Sequence, residues 1–241
     1  MHAGHFVFLH GTPGDASVWN GVRALAPREV ECTVLDLPDH GSSADEPLGD
    51  PLALEATLAG ELLRLGPRLT LVGHSYGGYL AARLANRLPS QVERAVVISG
   101  FAALPSAMAD AFSELALAFL RGEATVATIE AVATERWYGE GCTPEQRSVV
   151  AGIIRKMSAE RVRRVLLRLA RMSEPALRAV PFVQPALVVH GQGDRAVPFA
   201  LGEEVARSLP NGTLEVVDTD FHLLPLTHAE LVARLVFPSR P

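Results

Sequence analysis

The chain has 241 residues, 48% of them hydrophobic and 20% charged, and a formal net charge of -5. That length and apolar content describe a well-buried globule, one large α/β domain with or without an insertion, and exclude a disordered or fibrous chain. The acidic balance supplies no basic face for phosphate contacts, so small-molecule chemistry is expected and nucleic-acid binding is not. Cys32 and Cys142 lie far apart, with no second pair to make a disulfide framework or a metal ribbon, and read as reduced thiols. Met1-His2-Ala3-Gly4-His5 lacks a basic leader region and runs straight into a strand, so no signal peptide is expected. No apolar stretch approaches the roughly 18 residues of a membrane span, which leaves a cytoplasmic address and no membrane partner as the expectation.

In chain order, His5 to His10 is a short apolar run closed by Gly11-Thr12-Pro13-Gly14, which predicts a buried strand followed by a loop. Asp15 or Ser17 offers an N-cap for a helix through Ala26, with Val18, Trp19, Val22 and Leu25 at helical spacing. Val30 to Leu37 reads as a second strand. A loop bearing Pro38 and Gly41 runs on to Asp50, and Pro51 opens a helix to Leu65. Leu69 onwards is a third strand, Leu80 to Leu88 a helix-forming run and Val92 to Ser99 a fourth strand. Strands alternating with helices imply right-handed parallel crossovers and a sheet covered on both faces.

The alternation stops at Phe101. From there to about Val180 only helical patterns occur, over Pro105–Arg121, Ala124–Trp137, Pro144–Met157 and Ala159–Met172, as expected of an inserted cap. It resumes with a strand over Pro185–His190, a helix over Phe199–Leu209, a strand over Thr213–Val217 and a closing helix over Leu226–Val236. The expected organisation is therefore a core of residues 1–100 and 181–241 and a helical cap of residues 101–180, with a sheet of about six strands. Eight of the 22 basic residues fall between Arg155 and Arg178. Such a run can bind an anion, but charge runs on helices are mostly solvated faces, and that reading is preferred.

One stretch carries chemistry. Gly73-His74-Ser75-Tyr76-Gly77 fits G-x-S-x-G, in which a serine on a strained strand-to-helix turn presents its hydroxyl above the end of a sheet. Small residues flank the serine because the strand and helix backbones approach closely there. A serine hydroxyl is a poor nucleophile at neutral pH, so Ser75 needs a base, a group that orients the base, and donors for the oxyanion.

With Ser75 come His10-Gly11 after the first strand, Asp36-Leu37-Pro38-Asp39-His40-Gly41-Ser42-Ser43, His190-Gly191-Gln192-Gly193-Asp194 and Phe221-His222 after the last strand. With these pieces in this order the chain resembles the α/β-hydrolase superfamily over nearly its whole length. The resemblance implies a triad of Ser75, Asp194 and His222, with the backbone N–H groups of Thr12 and Tyr76 as the oxyanion hole; Pro13 has no N–H to offer. Asp218 and Asp220 compete for the role of acid but share the histidine's own loop. His228 competes for the role of base and is expected to lie already within the closing helix. His10, His40, His74 and His190 have duller explanations in the oxyanion loop, the second loop, the elbow and a strand end; Trp19 and Trp137 are read as packing residues.

Three departures from the superfamily pattern stand out. The antiparallel strands that often precede the His-Gly strand are not expected here, Phe221 stands where Gly often precedes the histidine, and Asp39 replaces a frequent glycine. The implied function is a serine hydrolase cleaving a small to medium, largely apolar carboxylic ester through an acyl-enzyme, needing no metal or organic cofactor. Serine at the elbow argues against dehalogenases and epoxide hydrolases, which need a carboxylate there. The alternatives are an acyl thioesterase, a lactonase or C–C bond hydrolase using the same triad, and a non-catalytic ligand receptor on the same fold.

Overall fold

A computed structural model describes residues 4–43, 50–139 and 141–238. Its six strands are β1 (His5–Leu9), β2 (Glu31–Leu35), β3 (Leu69–His74), β4 (Val92–Ile98), β5 (Ala186–Gly191) and β6 (Gly212–Val217). They form one parallel sheet in the order β2-β1-β3-β4-β5-β6. The inner strands β1, β3, β4 and β5 are buried on both faces, as parallel crossovers require, while the edge strands β2 and β6 are largely exposed or half-buried; the strands sort their side chains by alternation. Val7 and Leu9 join Leu71, Val97 and Val188 in one apolar cluster, whereas Phe6 and Phe8 join Val72, Val96 and Val189 in the other.

The helices of the core are α1 (Asn20–Ala24), α2 (Pro51–Arg64) and α3 (Tyr76–Arg87). The insertion between β4 and β5 carries α4 (Ser106–Arg121), α5 (Val126–Arg136), α6 (Pro144–Arg155) and α7 (Ala159–Ala170), and α8 (Phe199–Ser208), α9 (Leu224–Thr227) and α10 (Ala229–Val236) follow. Local chemistry sets several of these ends. The Asp50 side chain accepts from the amides of Leu52 and Ala53, with Pro51 in the first turn of α2. Thr143 and Gln146 form a capping box at α6, and Gly122 ends α4 at φ 73.

Some boundaries differ from those expected. The first helical segment is a 3-10 turn, Ala16–Trp19, running into the short α1. The elbow helix starts at Tyr76, before the expected Leu80, because Gly77 and Gly78 are held in helix by close packing that their missing side chains permit. The closing helix is broken at His228 (φ -127, ψ 42), so that histidine sits at the junction of α9 and α10. Part of the loop expected to run to Asp50, residues 44–49, lies outside the described residues.

The two strands of chain leading into and out of the insertion run side by side: Leu104 N–H donates to Met172 O at 3.1 Å, and Ala179 N–H to Ala102 O at 2.9 Å. Ala116, Phe119, Ile153 and Leu166 of the insertion belong to the same apolar cluster as Phe8 and Val72 of the sheet. The described residues of the insertion therefore share an apolar cluster with the sheet. The chain turns one way from β1 to β2 and crosses back to β3, so a switch point lies between the carboxyl ends of β1 and β3. Crevices at such points are where open α/β sheets place ligands.

Candidate active site

Ser75 stands at that switch point, between β3 and α3. Its backbone lies at φ 53, ψ -117, a region that a side chain disfavours. Ser75 N–H donates to Ile98 O at 2.8 Å, and Ser75 O accepts from Tyr79 N–H at 3.1 Å, so β4 and α3 together hold the turn. The flanking glycines are required sterically. A Cβ at Gly73 would collide with the carbonyl of Gly77, and one at Gly77 with the carbonyl of Leu9.

The loop after β1 crosses directly over this turn. A Cβ on Gly11 would meet Ser75 Cβ at 2.9 Å and His74 Nδ1 at 2.8 Å. Two buried histidines fix the loop. His10 Nδ1–H donates to Gly11 O at 2.7 Å while its Nε2 accepts from Leu37 N–H at 3.0 Å. His40 Nδ1–H donates to Pro38 O at 2.8 Å and its Nε2 accepts the Thr12 hydroxyl at 2.8 Å. Burial, reinforced by the nearby His10, pushes His40 down to about 3, so Nε2 stays an acceptor. Tyr76, the first residue of α3, has an N–H outside the helical ladder, next to Ser75.

Asp194 follows β5 and is buried. One of its oxygens accepts the amides of Ala196 and Val197, both at 2.9 Å; the other accepts His222 Nδ1–H at 2.8 Å. Burial alone raises a carboxyl, but the charge and hydrogen bond of His222 and the Val197 amide outweigh it, and Asp194 stays below its ordinary value. With the proton on Nδ1, Nε2 of His222 is the basic nitrogen, and His222 and Ser75 line the same cavity. The structure thus brings Ser75, Asp194, His222 and the Thr12 loop together. It separates the competitors: Asp220 pairs with Arg195 at 2.9 Å, Asp218 is exposed, and His228 packs on Phe221 and hydrogen-bonds Thr227.

Two contacts of His222 were not legible in the sequence. Its carbonyl accepts His74 Nε2–H at 2.9 Å, and its N–H donates to Trp137 O in the cap at 3.3 Å. His74, pushed down to about 3 by burial and then by the neighbouring His222, remains a neutral donor and holds the backbone of His222 from the elbow itself. Its position in the motif is variable, and its partner is 148 residues away, so no local signal exists.

Above Ser75 lies a cavity of about 300 Å³ under the cap. Its walls are helical stripes at i, i+3, i+4, i+7: Met108, Ala111, Phe112 and Leu115 on α4, and Val162, Val165, Leu166 and Leu169 on α7. Polar lining groups are few: Thr12, Ser75 and His222, and the exposed Glu135 and Arg136 that precede Trp137 in sequence. Among the described residues no cluster of three or more His, Cys, Asp or Glu side chains is placed to hold a metal ion, and no helix is long and apolar enough to cross a membrane.

Comparison with known proteins bears on the family and the fold. The sequence profile of the alpha/beta hydrolase family matches residues 6–235. A pimeloyl-[acyl-carrier protein] methyl ester esterase of Methylococcus capsulatus is 29% identical over 95% of this chain and 92% of its own. The (E)-2-((N-methylformamido)methylene)succinate hydrolase of Acinetobacter baylyi is 26% identical over 94% of this chain and 86% of its own. Among solved structures, a thermophilic esterase of Thermogutta terrifontis superposes with a TM-score of 0.82 at 24% identity, covering 97% of this chain and 88% of that one. An enol-lactonase of Burkholderia xenovorans gives 0.79 at 21% identity, covering 98% and 90%; at such identities the likeness is one of fold. Sheet order, elbow and matched span agree, and the chain belongs to the alpha/beta hydrolase family.

Proposed function

We propose that the chain is a serine hydrolase that cleaves a small to medium, largely apolar carboxylic ester through an acyl-enzyme. The observation that carries this reading is the buried Asp194–His222 hydrogen bond facing the same apolar cavity as Ser75 on its strained turn. Ser75 Oγ attacks the carbonyl carbon while His222 Nε2 takes its proton, and Asp194 keeps the ring in that tautomer and stabilises the imidazolium. The N–H groups of Thr12 and Tyr76 receive the oxyanion; one such donor is typically worth about 3 kcal/mol of barrier. His222 then protonates the leaving alkoxide, and later deprotonates the water that releases the acid. The cap segment 101–180 shapes the acyl pocket, and the enzyme acts in the cytoplasm on free small molecules.

The relatives named as esterases and as a lactonase make this chemistry a shared repertoire of the family, and the cavity favours an apolar acyl group. The rival thioesterase reading, in which cap cations hold a phosphorylated carrier, loses support from the same structure. Arg155 pairs with Glu130, Arg163 with Glu160, Arg164 with Asp39, and Arg171 with Asp50 and Glu174. These cations are engaged, as a solvated and cross-linked helix face would have them.

The test is covalent labelling by a fluorophosphonate, followed by turnover of p-nitrophenyl esters of increasing chain length beside acyl thioesters and lactones. Labelling at Ser75 is expected, with preference for short to medium acyl chains, and Ser75→Ala is expected to lower turnover by on the order of a thousandfold. Folded protein that neither labels at Ser75 nor turns over any ester refutes the assignment and favours the receptor.

A further inference from the structure

Helix α7 has two faces with separate contacts. Val162, Val165, Leu166 and Leu169 line the cavity, while Arg164 leaves the same helix toward the loop after β2. There Arg164 Nε lies 3.1 Å from each carboxylate oxygen of Asp39, and its Nη2 also pairs with Oδ1. Asp39 is fully buried and sits at φ 69, in the left-handed region where glycine is the ordinary occupant. A carboxylate at such a position carries both backbone strain and desolvation, and a buried charge persists only where a well-placed cation meets it. The aspartate that stands in place of a frequent glycine is thus matched by a guanidinium reaching across from the cap.

The next residue connects this pair to the reaction centre. His40 accepts the Thr12 hydroxyl at 2.8 Å. Asp39 and His40 move as one unit, because Asp39 N–H donates to Ser43 O, His40 N–H to Leu37 O, and Ser43 N–H to His40 O, at 2.9–3.1 Å. The Asp36 carboxylate fastens the far side of the turn to the oxyanion loop, accepting Ser42 N–H at 2.8 Å and Ala16 N–H at 2.7 Å. A continuous set of hydrogen bonds therefore runs from the acyl-facing cap helix to the loop that carries the Thr12 amide.

We propose that Arg164 and Asp39 are positioning residues: a strut that fixes α7 and, through His40, sets the Thr12 amide at the distance the oxyanion requires. The proposal rests on the reading of Thr12 as an oxyanion donor. The wall that receives the acyl chain and the group that receives the developing charge then share one connection, so substrate packed against Val165 is registered at the reacting carbonyl. Displacing such a donor by about an ångström can lower the rate by up to about a hundredfold.

The decisive variant is Asp39→Gly. Glycine adopts φ 69 without strain and leaves no buried carboxylate, so the strut is removed at small cost to folding, which a thermal melt checks. The expected result is kcat lowered about tenfold on both p-nitrophenyl acetate and hexanoate, with KM changed by less than about twofold. Inhibition by an alkyl boronic acid, which forms a tetrahedral adduct on a serine hydroxyl, weakens by the same factor. Arg164→Lys, which keeps the charge but not the planar fork, retains an intermediate kcat. The double variant Asp39→Gly with Arg164→Gln is no slower than the slower single variant. A kcat within about twofold of wild type, or a raised KM with kcat intact, overturns the proposal. Should Asp39→Gly fold poorly, Asp39→Asn with Arg164→Gln is judged by the same criteria. Fluorophosphonate labelling of the wild-type preparation separates the two readings: an unlabelled, inactive wild type refutes the hydrolase, whereas a labelled, active wild type with an unimpaired Asp39→Gly refutes only the strut.

Discussion

Mild acid should destabilise this fold through its buried histidines. His40 and His74 are held neutral, each pushed down to about 3, chiefly by burial and then by a neighbouring imidazole, His10 for the first and His222 for the second. In the unfolded chain each returns to about 6.5. Between these values the unfolded state binds the proton and the folded state does not, so stability is complete above about pH 6.5 and falls as the pH drops toward 3. The slope is about 1.4 kcal/mol per pH unit for each ring, so moving from about pH 7 to about pH 5 removes about 2 kcal/mol per histidine and about 4 kcal/mol for the pair. His10 and His190, also lowered by burial, act in the same direction. Against a total of roughly 5–15 kcal/mol for a folded domain, that is a large share. Urea unfolding at the two pH values measures it, and His74→Gln, which keeps an N–H donor but cannot titrate, should lose about 2 kcal/mol less than wild type on acidification. A wild-type change below about 1 kcal/mol, or an equal loss in His74→Gln, would show that these rings are not buried neutral in the folded chain.

Two further substitutions probe the site. His222→Ala should lower kcat/KM for a p-nitrophenyl ester by on the order of a thousandfold, as members of a triad act as a unit. His228→Ala, whose ring rests on Phe221 and the Thr227 hydroxyl away from Asp194, should cost far less, and a larger loss at His228 would reassign the base. Val165→Trp should shorten the acyl preference, because Val165 lines a cavity of about 300 Å³. Activity on p-nitrophenyl acetate should persist while that on the octanoate falls about tenfold or more, since overpacking a filled site strongly disfavours the longer chain. Equal losses on both esters would place the acyl chain elsewhere.

What could be read in advance divides along a physical line. The strands and the elbow announce themselves locally, as an apolar run of strand length followed by turn residues, whereas Asp194 and His222 stand out from their neighbours only through the resemblance to the superfamily. The stripes on α4 and α7 are equally local, so their helices were legible at Met108–Leu115 and Val162–Leu169. What those stripes face was not, because an amphipathic pattern records that a surface is buried and carries no information about whether side chains or an empty cavity cover it.

The cap's cations divide the same way. Glu160 lies three and four residues before Arg163 and Arg164, and Arg171 three before Glu174, spacings that alone mark a cross-linked helix face and weaken an anion site. The Arg164–Asp39 pair spans 125 residues and leaves no such mark. The sequence offered only half of it, an aspartate where a glycine was expected. A buried carboxylate calls for a cation or hydrogen-bond donors, and Arg164 reaches it from the far side of the fold. The same reasoning applies to His74: an imidazole buried beside Ser75 has to find an acceptor, and it finds the carbonyl of His222. In this fold the contacts that bind the loops around Ser75 to one another join residues far apart in sequence, whereas each loop follows an apolar run that marks it locally.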